Sequence, residues 1–209
     1  MSSKYPFIKA VSIILRIIWY LQWLFLLALI VISILLSTNS SIVNIDKLKG
    51  FNVQFTKINI PNSISNTDNL QSDIYLSNGE GRLHIKNIEH RFIFYRLLSV
   101  FVDTLLFIFV IFLLQKIFSG LKTGSFFVKQ NGVYIRKIAY AVLGIALLPK
   151  IIDYVTNIYI TNNLDIDGIV LKARFDFDYR TTSLALLIFV IAKVFIKGAE
   201  LREDHDLTI

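Results

Sequence analysis

The chain contains no cysteine. Disulfides, thiolate metal sites and cysteine nucleophiles are thereby excluded, and any part that folds in water must do so without covalent staples. Histidine is scarce as well. His84, His90 and His205 are too scattered to read as a zinc site, and no metal or other cofactor is expected. Charge is thin: 18% of the 209 residues are Asp, Glu, Lys or Arg, too few for the surface of a soluble domain of this size. No Walker loop, dinucleotide fingerprint, serine elbow or zinc-protease motif occurs. The Gly79-Glu80-Gly81 stretch has too few glycines, wrongly placed, to cradle a phosphate. Nothing in the chain points to an enzyme.

Apolar residues are abundant instead, at 55%, with a mean hydropathy of +0.61. They fall in blocks, and crossing a hydrocarbon core takes about 20 helical residues. Four spans are expected, at residues 17–36, 92–118, 133–155 and 181–197. Residues 7–16, with Lys9 and Arg16, read either as an interfacial helix or as an early start of the first span. Trp19, Tyr20 and Trp23 form an interfacial belt. Pro149 should kink the third span by removing a backbone donor. Cleavage as a signal peptide is not expected, because the first apolar stretch is too long and Ser37-Thr38-Asn39 is a poor cleavage site.

Between the spans the pattern changes. Residues 37–91 carry turn signals at Pro61-Asn62 and Asn78-Gly79. Phe51, Val53 and Phe55 alternate with polar residues, and residues 74–77 and 82–86 read as a hairpin about the glycines. Within residues 156–180 the alternation is strict from Ile169 to Tyr179 and argues a half-buried strand. Ile169, Leu171, Ala173, Phe175, Phe177 and Tyr179 mark one face, and Val170, Lys172, Arg174, Asp176 and Asp178 the other. The expected fold is a membrane α-helical bundle of four transmembrane helices, capped by a small extracytoplasmic antiparallel β sheet.

Orientation follows from the basic residues behind the formal charge of +7. Lys4, Lys9 and Arg16 flank the first span. Lys116, Lys122, Lys129, Arg136 and Lys137 surround the short loop at 119–132, and Lys193, Lys197 and Arg202 close the last span. Short basic loops stay in the cytoplasm, so both ends are placed inside, together with residues 119–132 and 198–209. The basic excess then serves orientation and the anionic lipid surface, and direct contact with nucleic acid is not expected.

Charge within a span is costly, which singles out Asp103, Lys150, Asp153 and Lys193. Asp103 lies about 15 Å into its span at about 1.5 Å per residue. Lys150 or Lys193 could pair with it, and Lys150 can also meet Asp153 one helical turn on. A proton or ion relay and a packing pair are the two readings, and one acid with one base falls short of a relay. Gln22 and Gln115 read as interhelical hydrogen-bond glue. The acidic run Glu203, Asp204, Asp206 lacks calcium-loop spacing.

Two stretches carry a resemblance. One is Gly124-Ser125-Phe126-Phe127-Val128-Lys129-Gln130-Asn131, followed by Ile135-Arg136-Lys137-Ile138. The other is the C-terminus, with Gly198, Glu200, Leu201, Asp204, Asp206, Leu207, Thr208 and Ile209. With four spans, these resemble a bacterial family of uncharacterised membrane proteins, domain of unknown function 2975. The match expected from these residues covers the helical scaffold and both cytoplasmic stretches. The resemblance implies the bacterial inner membrane as location. It also implies a neighbouring small helix-turn-helix regulator of the Cro/CI type as a candidate partner, and no established catalytic residues to carry over. Acidic residues after a span complement a basic DNA-binding surface. The leading expectation is therefore a non-enzymatic sensor or regulator that engages its partner through Asn131 and the tail residues. The alternatives are a small transporter or channel component using Asp103, and a structural subunit. A homo-oligomer through the Phe-rich second span (Phe101, Phe107, Phe109, Phe112) is a further candidate.

Overall fold

The computed structural model describes residues 6–37, 50–59, 75–76, 79–84, 90–122, 128–163 and 169–206. These form helices α1 (Pro6–Ser37), α2 (His90–Lys122), α3 (Lys129–Asn163) and α4 (Tyr179–Asp206), and strands β1 (Gly50–Asn59), β2 (Tyr75–Leu76), β3 (Gly79–His84) and β4 (Ile169–Lys172). The chain divides into two compact units. One comprises Met1–Ile34, Ser99–Pro149 and Phe177–Ile209; the other comprises Leu35–Leu98 and Lys150–Asp176.

In the first unit, residues 7–16 are the early start of α1, which runs unbroken from Pro6. Proline suits a first helical position, where its missing N–H costs nothing. Three helical stretches are long and apolar enough to cross a membrane: Phe7–Leu35, Phe94–Leu121 and Lys129–Asn163. Their large apolar side chains are widely exposed. Along α1 alone these include Phe7, Leu21, Leu24, Leu27 and Ile34. Exposed apolar surface of this extent fits a membrane location.

The core of this unit lies where α2 meets α3, with Val110 and Leu113 against Ile138 and Ala141, and Ile188 of α4 packed on them. Apolar contact gains little where the surroundings are lipid, so close approach of backbones must do more. Two rows of small residues at seven-residue spacing permit it: Gly132, Ala139 and Ala146 on α3, and Ala185, Ala192 and Ala199 on α4, all buried. Gly132 abuts Ile196, and the Tyr140 ring packs edge-on against Phe189 at 4.7 Å. Advancing along α3 therefore means retreating along α4, so the two helices are antiparallel. Gln115 Nε2 donates to Leu15 O at 3.1 Å, tying α2 to α1 as expected of interhelical glue. Lys116 sits over the Phe112 and Tyr134 rings, at 5.0 and 5.7 Å. Asp178 caps α4 by accepting from Thr181 N at 3.0 Å and Thr181 Oγ1 at 2.6 Å.

In the second unit β1 is the central strand. Phe55 faces Gly79 on one side and Leu171 on the other. β2 and β3 continue one antiparallel register along the first edge of β1, from Asn59↔Tyr75 to Gly50↔His84. The hairpin expected about Asn78-Gly79-Glu80-Gly81 is thus corrected: Gly79, Glu80 and Gly81 are strand residues paired with Phe55, Gln54 and Val53. A Cβ on Gly79 would overlap the Phe55 ring, so a larger residue there forces that ring to turn aside. β4 pairs with the other edge, with a bulge between Phe55 and Lys57. The apolar alternation of β1 slips by one, from Phe55 to Ile58, at the same place.

Several boundaries move. The strand expected over 169–179 stops at Lys172, where pairing to β1 ends, and α4 begins at Tyr179 on its Asp178 cap. Residues 156–163 are the last turns of α3 rather than part of the strand segment. The loop expected at 119–132 shrinks, because α2 runs to Lys122 and α3 starts at Lys129. The tail expected from residue 198 is helical to Asp206. Pro149 lies within α3, and its carbonyl accepts a 3.3 Å bond from Ser99 Oγ. The Pro61-Asn62 turn, residues 124–127 and Leu207, Thr208 and Ile209 lie outside the described residues.

Candidate functional site

The second unit holds an open cleft of about 730 Å³. One wall is the C-terminal half of α3. Lys150, Asp153, Tyr154 and Asn157 are spaced i, i+3, i+4, i+7 and so share one helix face. The opposite wall is Gln54 of β1 with Glu80 and Gly81 of β3, and the third is Arg174 and Asp176, which follow β4. The cleft thus gathers the polar face of one helix and part of the polar face of the alternating segment.

Its charges are arranged in pairs. Arg174 Nη1 donates to Glu80 Oε1 at 2.7 Å, and Gln54 Nε2 donates to the same oxygen at 2.9 Å. Lys150 Nζ lies 3.5 Å from Asp176 Oδ2, a long pair whose carboxylate is 82% exposed. Pairs this open to solvent contribute at most about 1 kcal/mol, so either can be exchanged for an incoming group. Asp153 makes no hydrogen bond or ion pair among the described residues, although it is exposed into the cleft. The Tyr154 ring is held edge-on against Phe175, with centroids 5.6 Å apart.

Of the four polar residues singled out within spans, Lys150 and Asp153 therefore line this cleft, and Lys150 pairs with Asp176 instead of Asp153 or Asp103. Asp103 is half-buried in the first unit, where Lys193 is exposed, and neither has an ion pair among the described residues. Gln54, Glu80, Tyr154, Asn157, Arg174 and Asp176 escaped the sequence reading. For Tyr154 and Asn157 a signal was present: with Lys150 and Asp153 they make four polar positions on one face of α3 just beyond Pro149, where a continuing span should stay apolar.

A second cluster sits in the first unit, where the start of α3 meets the end of α4. Lys129 and Lys197 both reach Glu200, at 3.6 and 3.3 Å. Asn131 is buried, its backbone N–H donates to Val128 O at 2.9 Å, and its Oδ1 lies 3.7 Å from where a Cβ on Gly120 would stand. Gly198 has open space around it. Leu201, in contrast, is a large apolar side chain left 61% exposed. Of these α4 residues Glu200 is the one tied to the start of α3, through Lys129; Gly198 and Leu201 share its helix. Asp204 and Asp206 belong to the last turn of α4, and Leu207 and Thr208 fall outside the described residues.

Among the described residues no three His, Asp or Glu side chains are grouped to hold a metal ion. Comparison with curated proteins and with solved structures returns no match. The family described as Protein of unknown function (DUF2975) matches residues 47–209. That match takes in β1 to β4 and α2 to α4, so the strand segments belong to the shared pattern, while α1 lies outside it. Spanning well over half of the sequence, it makes the chain a member of the DUF2975 family.

Proposed function

We propose that the chain is a non-enzymatic protein of the bacterial inner membrane that crosses the bilayer four times and acts as a sensor or regulator on a cytoplasmic partner. In this reading α4 supplies the fourth span. Residues 181–196 carry one charged side chain, Lys193, and Leu184, Leu187, Val190 and Val194 are exposed as lipid-facing residues would be. The distribution of basic residues supports a cytoplasmic location for both ends and the α2–α3 connection, with the β sheet then on the other side.

The observation that carries the regulatory reading is the end of α4. The helix does not stop where a span would, at Lys197, but continues to Asp206 with Leu201 and Glu203 exposed. An anchor has no use for an exposed leucine set among acids. A partner with a basic, partly apolar surface does, and a small helix-turn-helix transcription factor offers one. Glu200 ties this extension to Lys129 at the start of α3, so a change in helix packing would be felt at the partner surface.

The test leaves Glu200 intact. Affinity capture from native membranes compares the unaltered protein with a variant carrying Glu203→Gln, Asp204→Asn and Asp206→Asn. Recovery of a small DNA-binding protein with the first and not the second supports the reading. Recovery of the same proteins with both, none of which binds DNA, makes the extension a polar helix end only.

A further inference from the structure

The cleft of the second unit has a composition that selects a ligand. Its three carboxylates, Glu80, Asp153 and Asp176, meet two cations, Lys150 and Arg174, leaving one negative charge in excess. That excess has a location. Glu80 is held by Arg174 and Gln54, and Asp176 by Lys150, whereas Asp153 has no ion pair among the described residues. Asn157 stands one turn further along the same helix face, with an amide oxygen able to accept from a second N–H. Tyr154, next to Asp153 in the chain and clamped by Phe175, offers an aromatic ring to a cation.

From these observations we infer that the cleft binds a small ligand of the basic amino acid class, carrying two cationic groups and one carboxylate. An ammonium or guanidinium group sits on Asp153 and Asn157 beside the Tyr154 ring. The carboxylate is taken by Lys150, whose exposed 3.5 Å contact with Asp176 is readily given up. Asp176, once released, accepts the second cationic group. The ligand's single net positive charge then matches the single net negative charge of the cleft. The space, about 730 Å³, lies within the range of about 300–1,000 Å³ usual for small-molecule sites. The arrangement does not depend on any role for the end of α4.

The experiment uses the full chain in lipid nanodiscs and isothermal titration with L-arginine and L-citrulline, which share a shape but differ in side-chain charge. Arginine is expected to bind at least tenfold more tightly than citrulline. In Asp153→Asn, which keeps the size of an exposed side chain, that preference should vanish, and Asn157→Ala should weaken arginine several-fold. The unaltered protein alone decides one half of the question: equal binding of arginine and citrulline, or no binding of arginine at millimolar concentration, overturns the inference. Retention of the preference in a well-folded Asp153→Asn variant overturns it too, because arginine would then be bound elsewhere. Loss of partner capture in the acidic-tail variant leaves these results unaffected, so the two proposals fail separately.

Discussion

The same substitution, glycine to alanine, should act in opposite directions at two points of the α3–α4 pair. At Gly132 a Cβ would stand 2.5 Å from Ile196 Cγ1, 3.1 Å from Ile196 N and 3.3 Å from its Cα. Neither backbone atom can turn aside, and the Cγ1 of a β-branched residue in a helix has little rotamer freedom. The helices must separate at this end, and overpacking of this kind costs about 1–3 kcal/mol. At Gly198 nothing lies within 4 Å of the new Cβ. There the alanine gains helix propensity and restrains the unfolded chain, contributing about 0.4–1 kcal/mol. The assay is reversible unfolding of the purified protein in mild detergent on titration with SDS, followed by far-ultraviolet circular dichroism. Gly132→Ala should raise the unfolding constant by about five- to 150-fold, at about 1.4 kcal/mol per decade, and Gly198→Ala should lower it by a few-fold. Equal effects of the same sign, or a neutral Gly132→Ala, would refute the seam of seven-spaced small residues as the means by which α3 and α4 approach.

Other consequences are smaller. Asp178→Ala removes the cap of α4 and should cost about 0.5–2 kcal/mol, seen as faster amide exchange in the first turn of that helix; unchanged exchange at Thr181 would contradict the capping bond. Glu200→Gln breaks two exposed ion pairs and should shift stability by less than about 1 kcal/mol in the same SDS titration, with the effect fading as salt rises. In the capture experiment, the triple substitution at Glu203, Asp204 and Asp206 should remove the partner while leaving the protein in the membrane.

The length of the apolar blocks was informative: those at 17–36, 92–118, 133–155 and 181–197 each lie inside a helix of the structure. Helix ends were not legible, because continuation beyond the apolar block depends on tertiary support. Past its span α4 continues to Asp206, and there Glu200 reaches Lys129 on another helix, a contact no local pattern announces. Alternation located β1 and β4, yet the glycines of Gly79-Glu80-Gly81 suggested a turn. At Gly79 it is the Phe55 ring of the neighbouring strand that occupies the space of a Cβ, a contact between residues far apart in sequence. The cleft was half legible. Lys150 and Asp153 drew attention as charges in an apolar context, but the partners that define the site, Glu80 and Arg174, come from strand pairings that no local pattern reveals.

The central claim, four crossings with both ends inside and the sheet outside, can be tested directly because the chain has no cysteine of its own. Single cysteines at Lys122, Asp176 and Arg202 would be exposed to a membrane-impermeant maleimide on intact spheroplasts. Asp176→Cys should be labelled at once, and Lys122→Cys and Arg202→Cys only after the membrane is permeabilised. Labelling of Arg202→Cys together with Asp176→Cys in intact spheroplasts would place both ends of α4 on one side, and the fourth span with its cytoplasmic tail would be wrong.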